Sequence, residues 1–548
     1  MRLVLIKRSF SAVIALLMVL NFSFAETARA QKDTALPRDV IVVCHEDLRN
    51  ELGPWISHRE KQGYRIQVLA PSNSAFDQYK AIIEAADKKQ IAAVVLVGDA
   101  PSGKGKPPVG IEIPTAYISA KVNLLFGSEP EIATDNRLVD VDRDRLPDFP
   151  VGRIPVRTVD ELKTVVSKII RYENPTGSQS WQRDFHCIAG VGGFGALQDK
   201  MIESAARKLL GDGVPAHFRM TMTYASWRSP FCPDPNRFGE VTLDRLNAGS
   251  LYWVYMGHGL RTELDRVLIP NQPPQSIMTR SSVKNVNCVN GMPVAVFLAC
   301  YVGAYDSIAP SMSEQLLLHA KGPIAVIAGS RVTMPYAMSV MGEAMLEEAF
   351  RGDHETLGSV FHKSKHRLGN PEEKASRNRL LLDGLAAVVS PRPDLMNEER
   401  LEHVDLFNLI GDPLLRVRKP ERVKVDVDRA AAAGSSHTVT INSPISGEAV
   451  VELATMRGQL RFPSPVRSEF ENNQKWLDGL DKVYNKSNND VWASVACDVK
   501  AGESTTVKLE IPKDSTGICF VRVMVDGESR LSLGSESVIV SKPKEDSK

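Results

Sequence analysis

Residues 250–259 read SLYWVYMGHG. The run before the glycines is short, rich in aromatic residues and not alternating, the pattern of a strand buried on both faces. Strands of that kind belong to parallel sheets covered by helices. Working outward, the same pattern recurs as FHCIAGV (185–191), VAVFLAC (294–300) and GPIAVIAG (322–329). Amphipathic helical stretches lie between and after them, DKMIESAARKLL (199–210) and VMGEAMLEEAF (340–350). An earlier series repeats the alternation: DVIVVCH (39–45), YRIQVLA (64–70) and IAAVVLVGD (91–99), separated by LRNELGPWISHREKQG and AFDQYKAIIEAADKKQ. The expected fold class is therefore α/β, with two parallel-sheet subdomains.

At 548 residues the chain exceeds one ordinary core, and several domains are expected. Residues 1–30 read as a signal peptide: a basic start, MRLVLIKR, an apolar core, AVIALLMVL, and a small-residue end, ARAQ. That apolar core is shorter than the roughly 20 residues of a membrane span, so no integral anchor is expected after cleavage. The first α/β subdomain is placed at 38–177, ending near NPTG after the helical stretch VDELKTVVSKIIRYE, and the second at 183–420. From 425 to 541 the pattern changes to short alternating stretches (HTVTI, EAVVELA, TTVKLEI, CFVRVMV), which predict an all-β immunoglobulin-like sandwich. The whole chain carries +1 and residues 1–30 carry +3, which leaves −2 for the remainder. Such a balance gives no footing for nucleic acid or a membrane surface. Of 7 cysteines, Cys497 and Cys519 fall in the β-rich part and could pair; an odd number leaves at least one thiol unpaired.

His258 follows SLYWVYM and Cys300 ends VAVFLAC, two successive strands of the second series. In parallel α/β sheets, reacting groups gather at the carboxyl ends of strands. A cysteine thiolate attacks a peptide carbonyl, an imidazole moves the proton to the leaving amine, and backbone amides of Gly259 and Cys300 would receive the oxyanion. The plainer alternative is that Cys300 is core packing, since cysteine is among the most buried residue types. Glycines beside His258 would let a substrate backbone approach closely.

These residues resemble the gingipain family of caspase-like cysteine endopeptidases. GHG and LACYVG look like the family's histidine and cysteine motifs, and VVLVGD, LPDFPVGRIPV, GPIAVIAGS and LFNLIGDPLLRV stand around them in the family's order. The resemblance implies two caspase-like subdomains followed by the sandwich, protein or peptide substrates, and His258 and Cys300 as the catalytic dyad. Three departures go with it. Little chain separates Ala30 from the first strand, where secreted members carry a long pro-segment. Gly192 stands where the arginine-specific branch has a glutamate, so a carboxylate orienting His258 would have to come from elsewhere. Leu260 follows His-Gly where serine is frequent.

Asp199 matches the pocket-floor aspartate of the arginine-specific branch, which implies cleavage after Arg or Lys; the alternative is an acid in the first turn of a helix. Gly192, within GVGGFG, would shape the substrate pocket, and Tyr336 could form an aromatic wall or simply pack. GVGGFG also fits a dinucleotide turn, yet the following strand FRMTMTY ends without the acid that would bind a ribose. Asp140, Asp142 and Asp144 match positions 1, 3 and 5 of a calcium loop, although Arg145 stands where such loops use glycine. Two arginines in that stretch could equally neutralise the cluster. No cofactor is required by the expected reaction, and structural calcium is the one metal suggested. HKSKH (362–366) lacks the glutamate of a zinc-protease helix, and Cys44-His45 reads as structural. Two further functions stay open: a sortase-like transpeptidase, and a non-catalytic surface binding protein on the same scaffold. Export would place the protein in the periplasm, at the surface or outside the cell.

Overall fold

The structure, a computed structural model, describes residues 38–191, 211–370 and 375–542. The signal-peptide segment therefore lies outside the described residues. Ten strands form one sheet: β1 (Asp39–Cys44), β2 (Arg65–Leu69), β3 (Ile91–Val97), β4 (Val151–Ile154), β5 (Asp184–Ala189), β6 (Arg219–Tyr224), β7 (Tyr252–Met256), β8 (Val294–Leu298), β9 (Ala325–Gly329) and β10 (Phe407–Ile410). Their order is β2-β1-β3-β4-β10-β9-β8-β7-β5-β6. Every neighbouring pair is parallel except β9 with β10, which run antiparallel with Val326 opposite Ile410 and Gly329 opposite Phe407.

The two α/β series thus share one continuous sheet. β10, from the end of the second series, enters the first and pairs with β4 through Ile410 and Arg153. That antiparallel seam makes the halves run in opposite directions, so β5, β7, β8 and β9 all end on one edge. Apolar strands such as β8, buried along its whole length, need cover on both faces. Helices supply it, including Val159–Glu173, which starts with a reciprocal cap between Thr158 and Glu161.

Arg153 holds the seam. Fully buried on β4, it donates to both carboxylate oxygens of Asp135 (2.8 and 2.7 Å) and to the carbonyls of Gly98, Asp99, Ile113 and Pro114 (3.0–3.2 Å). The long excursion between β3 and β4 is thereby tied back to the sheet.

After β10 the chain builds two further sheets, antiparallel except where Glu421–Arg422 and Ala430–Ala432 run parallel to Leu531–Ser541. One contains Glu421–Arg422, Leu531–Ser541, Gly517–Asp526, Gly447–Thr455 and Val491–Val499, the other Lys424–Val427, Ser436–Asn442 and Ser504–Glu510. Alternate residues such as Val439, Ile441, Val451 and Val523 fill the space between them. A helix the alternation did not announce, Gln474–Ser487, is inserted between two of these strands. It reaches the large sheet: the Tyr484 hydroxyl meets Thr223 Oγ1 at 2.8 Å. Just past it, Asn488 accepts the Met222 N–H (2.7 Å) and donates to the Met222 carbonyl (3.0 Å), pairing part of the exposed side of edge strand β6.

The pairing considered for Cys497 and Cys519 is not made. Their strands flank Gly447–Thr455 on opposite sides, with Cys497 opposite Ala449 and Cys519 opposite Thr455. Six residues of strand rise separate those levels, about 20 Å. All seven cysteines are free. No helix among the described residues is long and apolar enough to cross a membrane.

Replacing Arg153 by Met leaves Asp135 charged and buried without its partner. The expected cost is about 3–5 kcal/mol in denaturant unfolding, partly recovered when Asp135 is also made Leu. A loss below about 1 kcal/mol would mean that the seam is held by packing alone.

Candidate active site

β7 and β8 pair in register, Met256 opposite Leu298, and the Gly257 N–H still donates to the Leu298 carbonyl at 3.2 Å. Two residues beyond that level stand His258 and Cys300. The glycines around His258 are required by the protein's own packing. A Cβ on Gly259 would lie 2.6 Å from the Cys300 carbonyl oxygen and 3.0 Å from Ala299 Cβ. One on Gly257 would lie 2.8 Å from the Tyr255 hydroxyl and 3.0 Å from Gly190 Cα. The space expected for a substrate backbone is, at Gly259, filled by the loop that carries Cys300.

Cys300 is half-buried. Its Sγ accepts the Thr333 N–H at 3.3 Å and lies 3.5 Å from Thr333 Oγ1 and 3.6 Å from the Thr333 carbonyl. Thr333, on the loop after β9, was not singled out from the sequence. Among the described residues, the amides of Gly259 and Cys300 donate to no acceptor. Tyr301 takes φ +60°, a left-handed conformation costly for a residue with a side chain. Its ring lies 4.4 Å under the Arg261 guanidinium, its hydroxyl donates to Glu129 at 2.7 Å, and Glu129 also pairs with Arg261. Two loops therefore clamp the turn that carries the cysteine.

From His258 the chain makes a tight hairpin. Leu260 donates to Glu263 (2.8 Å), Gly259 bridges Leu264, and the Asp265 N–H donates back to the His258 carbonyl (3.2 Å). The buried Tyr255 hydroxyl closes the base, donating to the same carbonyl at 2.8 Å and accepting the Asp265 N–H at 3.3 Å. Asp265 thus returns opposite His258. Its Oδ2 accepts the Val191 N–H (3.0 Å) and its Oδ1 the Arg266 N–H (2.8 Å). Burial raises the affinity of this carboxyl for a proton, opposed by the Arg266 N–H, the charge of His258 and the Val191 N–H. Arg261-Thr262, at the hairpin tip, lacks the Gly or Asn signature of tight hairpins, so no local signal announces this return.

The other residues read from the sequence are placed as follows. Asp199 and Gly192 lie outside the described residues. Tyr336 is buried in the first turn of helix Pro335–Phe350, its hydroxyl donating to Asp383 (2.6 Å) and accepting from Arg400 (2.8 Å), so little of its ring faces a cleft. In the acidic loop, one carboxylate oxygen each of Asp140, Asp142 and Asp148 lies within 4.8 Å of the others. Asp144 instead uses Oδ1 to accept the Leu146 N–H at 2.7 Å. Arg145 takes φ +81° and Arg143 +63°, the conformation for which a calcium loop uses glycine. Neither neutralises the cluster: Arg145 forks onto Glu398, Arg143 lies over Tyr79, and Arg137 pairs with Asp140 Oδ2 at 2.6 Å.

A half-buried cysteine and a histidine on adjoining strand ends are the equipment of a cysteine peptidase. The family model described as Peptidase family C25 matches residues 33–418, and the chain belongs to that family. It is a cysteine peptidase. No curated protein matches. Among solved structures, the "Arg specific cysteine proteinase gingipain R (RGPB)" is 18% identical, with 92% of this chain and 98% of that one covered and a TM-score of 0.48. A complex of pro- and mature RgpB domains from Porphyromonas gingivalis is 17% identical, covering 92% and 100%, TM-score 0.48.

Gly259→Ala is expected to push the histidine and cysteine loops apart. Peptidase kcat/KM should fall on the order of 100-fold with little change in unfolding midpoint, as for an ångström-scale misplacement. Near-normal activity would show that the two loops part without consequence.

Proposed function

We propose that the chain is an exported cysteine endopeptidase with Cys300 as nucleophile and His258 as general acid and base. The observation that carries this reading is the β7–β8 register, which brings both residues to one level and seats Gly259 on the Cys300 carbonyl. The Cys300 thiolate attacks the peptide carbonyl carbon, a C–S bond forms, and the oxygen becomes an oxyanion facing the amides of Gly259 and Cys300. Collapse breaks the C–N bond while the imidazolium gives its proton to the departing amine. Water, deprotonated by the imidazole, then hydrolyses the thioester.

Cleavage after Arg or Lys is the preferred specificity. It rests on Asp199 as pocket floor, a carboxylate suited to either cation, and on the Arg specificity named for gingipain R. The basic and apolar pattern of residues 1–30 supports export to the periplasm, the surface or the medium.

With a peptide library varying the residue before the scissile bond, the purified protein should cut after Arg or Lys. Cys300→Ala should fall to background, and His258→Ala should lose on the order of 10²–10⁴-fold. Cleavage after another residue would remove the Asp199 pocket and keep the dyad. Incorporation of an added amine would make the enzyme a transpeptidase. Absence of both cleavage and Cys300 alkylation would leave a binding protein.

The acidic loop is read as a structural calcium site. Asp140 is 4% exposed and its Oδ1 has no hydrogen-bond partner, a buried oxygen that a cation would satisfy. Calcium should raise Tm by several degrees over EGTA, and Asp140→Asn should remove that rise. An identical Tm in both would remove the site.

A further inference from the structure

We propose that Asp265 is the positioning carboxylate of His258, an inference that rests on the peptidase reading and deepens it. An imidazole that exchanges protons with a thiol needs its second ring nitrogen held, so that the correct tautomer faces the sulfur and the imidazolium is stabilised. The sequence offers no acid at position 192. The hairpin supplies one from the other side. With Gly259 bridged to Leu264, position 258 lies directly opposite 265. Directly opposed residues of an antiparallel pair present their side chains on one face, with Cβ atoms about 5 Å apart.

Both partners are fixed before any substrate arrives. The His258 carbonyl is held by the Tyr255 hydroxyl and the Asp265 N–H, and the Asp265 carboxylate by the amides of Val191 and Arg266. There is no room to drift: a Cβ on Gly190 would already lie 3.1 Å from Asp265 Oδ2. Among the described residues no other cation pairs with the carboxylate. The guanidinium of neighbouring Arg266 is turned to Glu263 (2.6 and 3.3 Å). The titratable groups around Asp265 are, among the described residues, His258 across the hairpin and Tyr255 beneath it, with Cys300 next beyond Tyr255. Among the described residues, His258 is the side-chain charge that lowers the proton affinity of Asp265.

Asp265→Asn is nearly isosteric, and its side-chain oxygen can still accept a backbone N–H, so the hairpin should persist while the charge is lost. Two readouts are decisive. Steady-state kinetics should show kcat reduced about 100-fold with KM within about 3-fold, because geometry and charge at the imidazole, not substrate contacts, are changed. The pH profile of Cys300 alkylation by iodoacetate, whose upper limb reports loss of the imidazolium charge, should shift to lower pH by about one unit. His258→Ala is the control. If its alkylation profile equals wild type, the dyad itself fails, whatever Asp265 does. If the profile depends on His258 but Asp265→Asn leaves both it and kcat unchanged, the assignment of Asp265 is overturned. Should that variant not fold, NMR of wild-type protein carrying ¹⁵N-histidine decides. A His258 ring N–H shifted downfield and protected from exchange supports the assignment, and one exchanging freely with water overturns it.

Discussion

The pairing of β9 with β10 is the constraint on which the rest depends. Two parallel half-sheets that each needed their own helical cover are joined by one antiparallel contact, and the β10 strand that makes it then runs parallel to β4. Burying Arg153 beside that joint is costly unless every donor finds an acceptor. The bidentate pair with Asp135 and four carbonyls provide them, and their geometry fixes where the excursion between β3 and β4 can run. Within it, Ala116–Ser119 and Glu131–Thr134 pair antiparallel, and the link between them brings Glu129 to Arg261 and Tyr301 while the Glu131 carbonyl meets Arg331. A charge buried at the seam thus bears on the turn that holds Cys300.

That turn illustrates how a strained backbone is kept. Tyr301 in a left-handed conformation costs on the order of 1–3 kcal/mol and would relax if unsupported. It is held by the Tyr301 N–H on the Arg331 carbonyl (3.1 Å), the Gly303 N–H on the Gly329 carbonyl (2.9 Å), and the Arg261 and Glu129 contacts. Arg331 is itself anchored by a buried bidentate pair with Asp306 (2.8 and 2.6 Å). These contacts keep the end of β8 turned so that the Cys300 carbonyl meets Gly259 while Sγ meets Thr333. The loops that carry His258 and Cys300 are thus packed on each other.

What could be read from the sequence follows from range. Continuous apolar runs such as SLYWVYM and VAVFLAC report burial on both faces, and the helix Val159–Glu173 carries its own cap, so these elements are legible from local chemistry. The place of His258 and Cys300 at adjoining strand ends was legible because each follows a continuous apolar run. β4 was not: VGRI is four residues long among prolines, and its arginine is buried only because Asp135 arrives from elsewhere. The entry of β10 into the first half-sheet is likewise a long-range pairing with no local signal. Asp148 rather than Asp144 completes the acidic group, because the loop folds back through the Val141 N–H on Asp148, a closure that alternate spacing along the sequence does not show. Asp265 was visible as an acid seven residues past His258, but only the hairpin makes that spacing mean adjacency.

With seven free thiols and no disulfide, the cysteines differ only by environment. Burial sets most of the difference. It pushes the thiols of Cys187, Cys232 and Cys288 up to about 12 and those of Cys44 and Cys519 to about 11, so they remain protonated and shielded. Cys497, half-buried on a sandwich strand, is also raised by burial and the adjacent Asp498 charge. Cys300 is the half-buried thiol that stands at the carboxyl edge of the sheet with a backbone N–H on its sulfur and a histidine on the adjoining strand end. It stands there because β5, β7, β8 and β9 are mutually parallel and end on one edge.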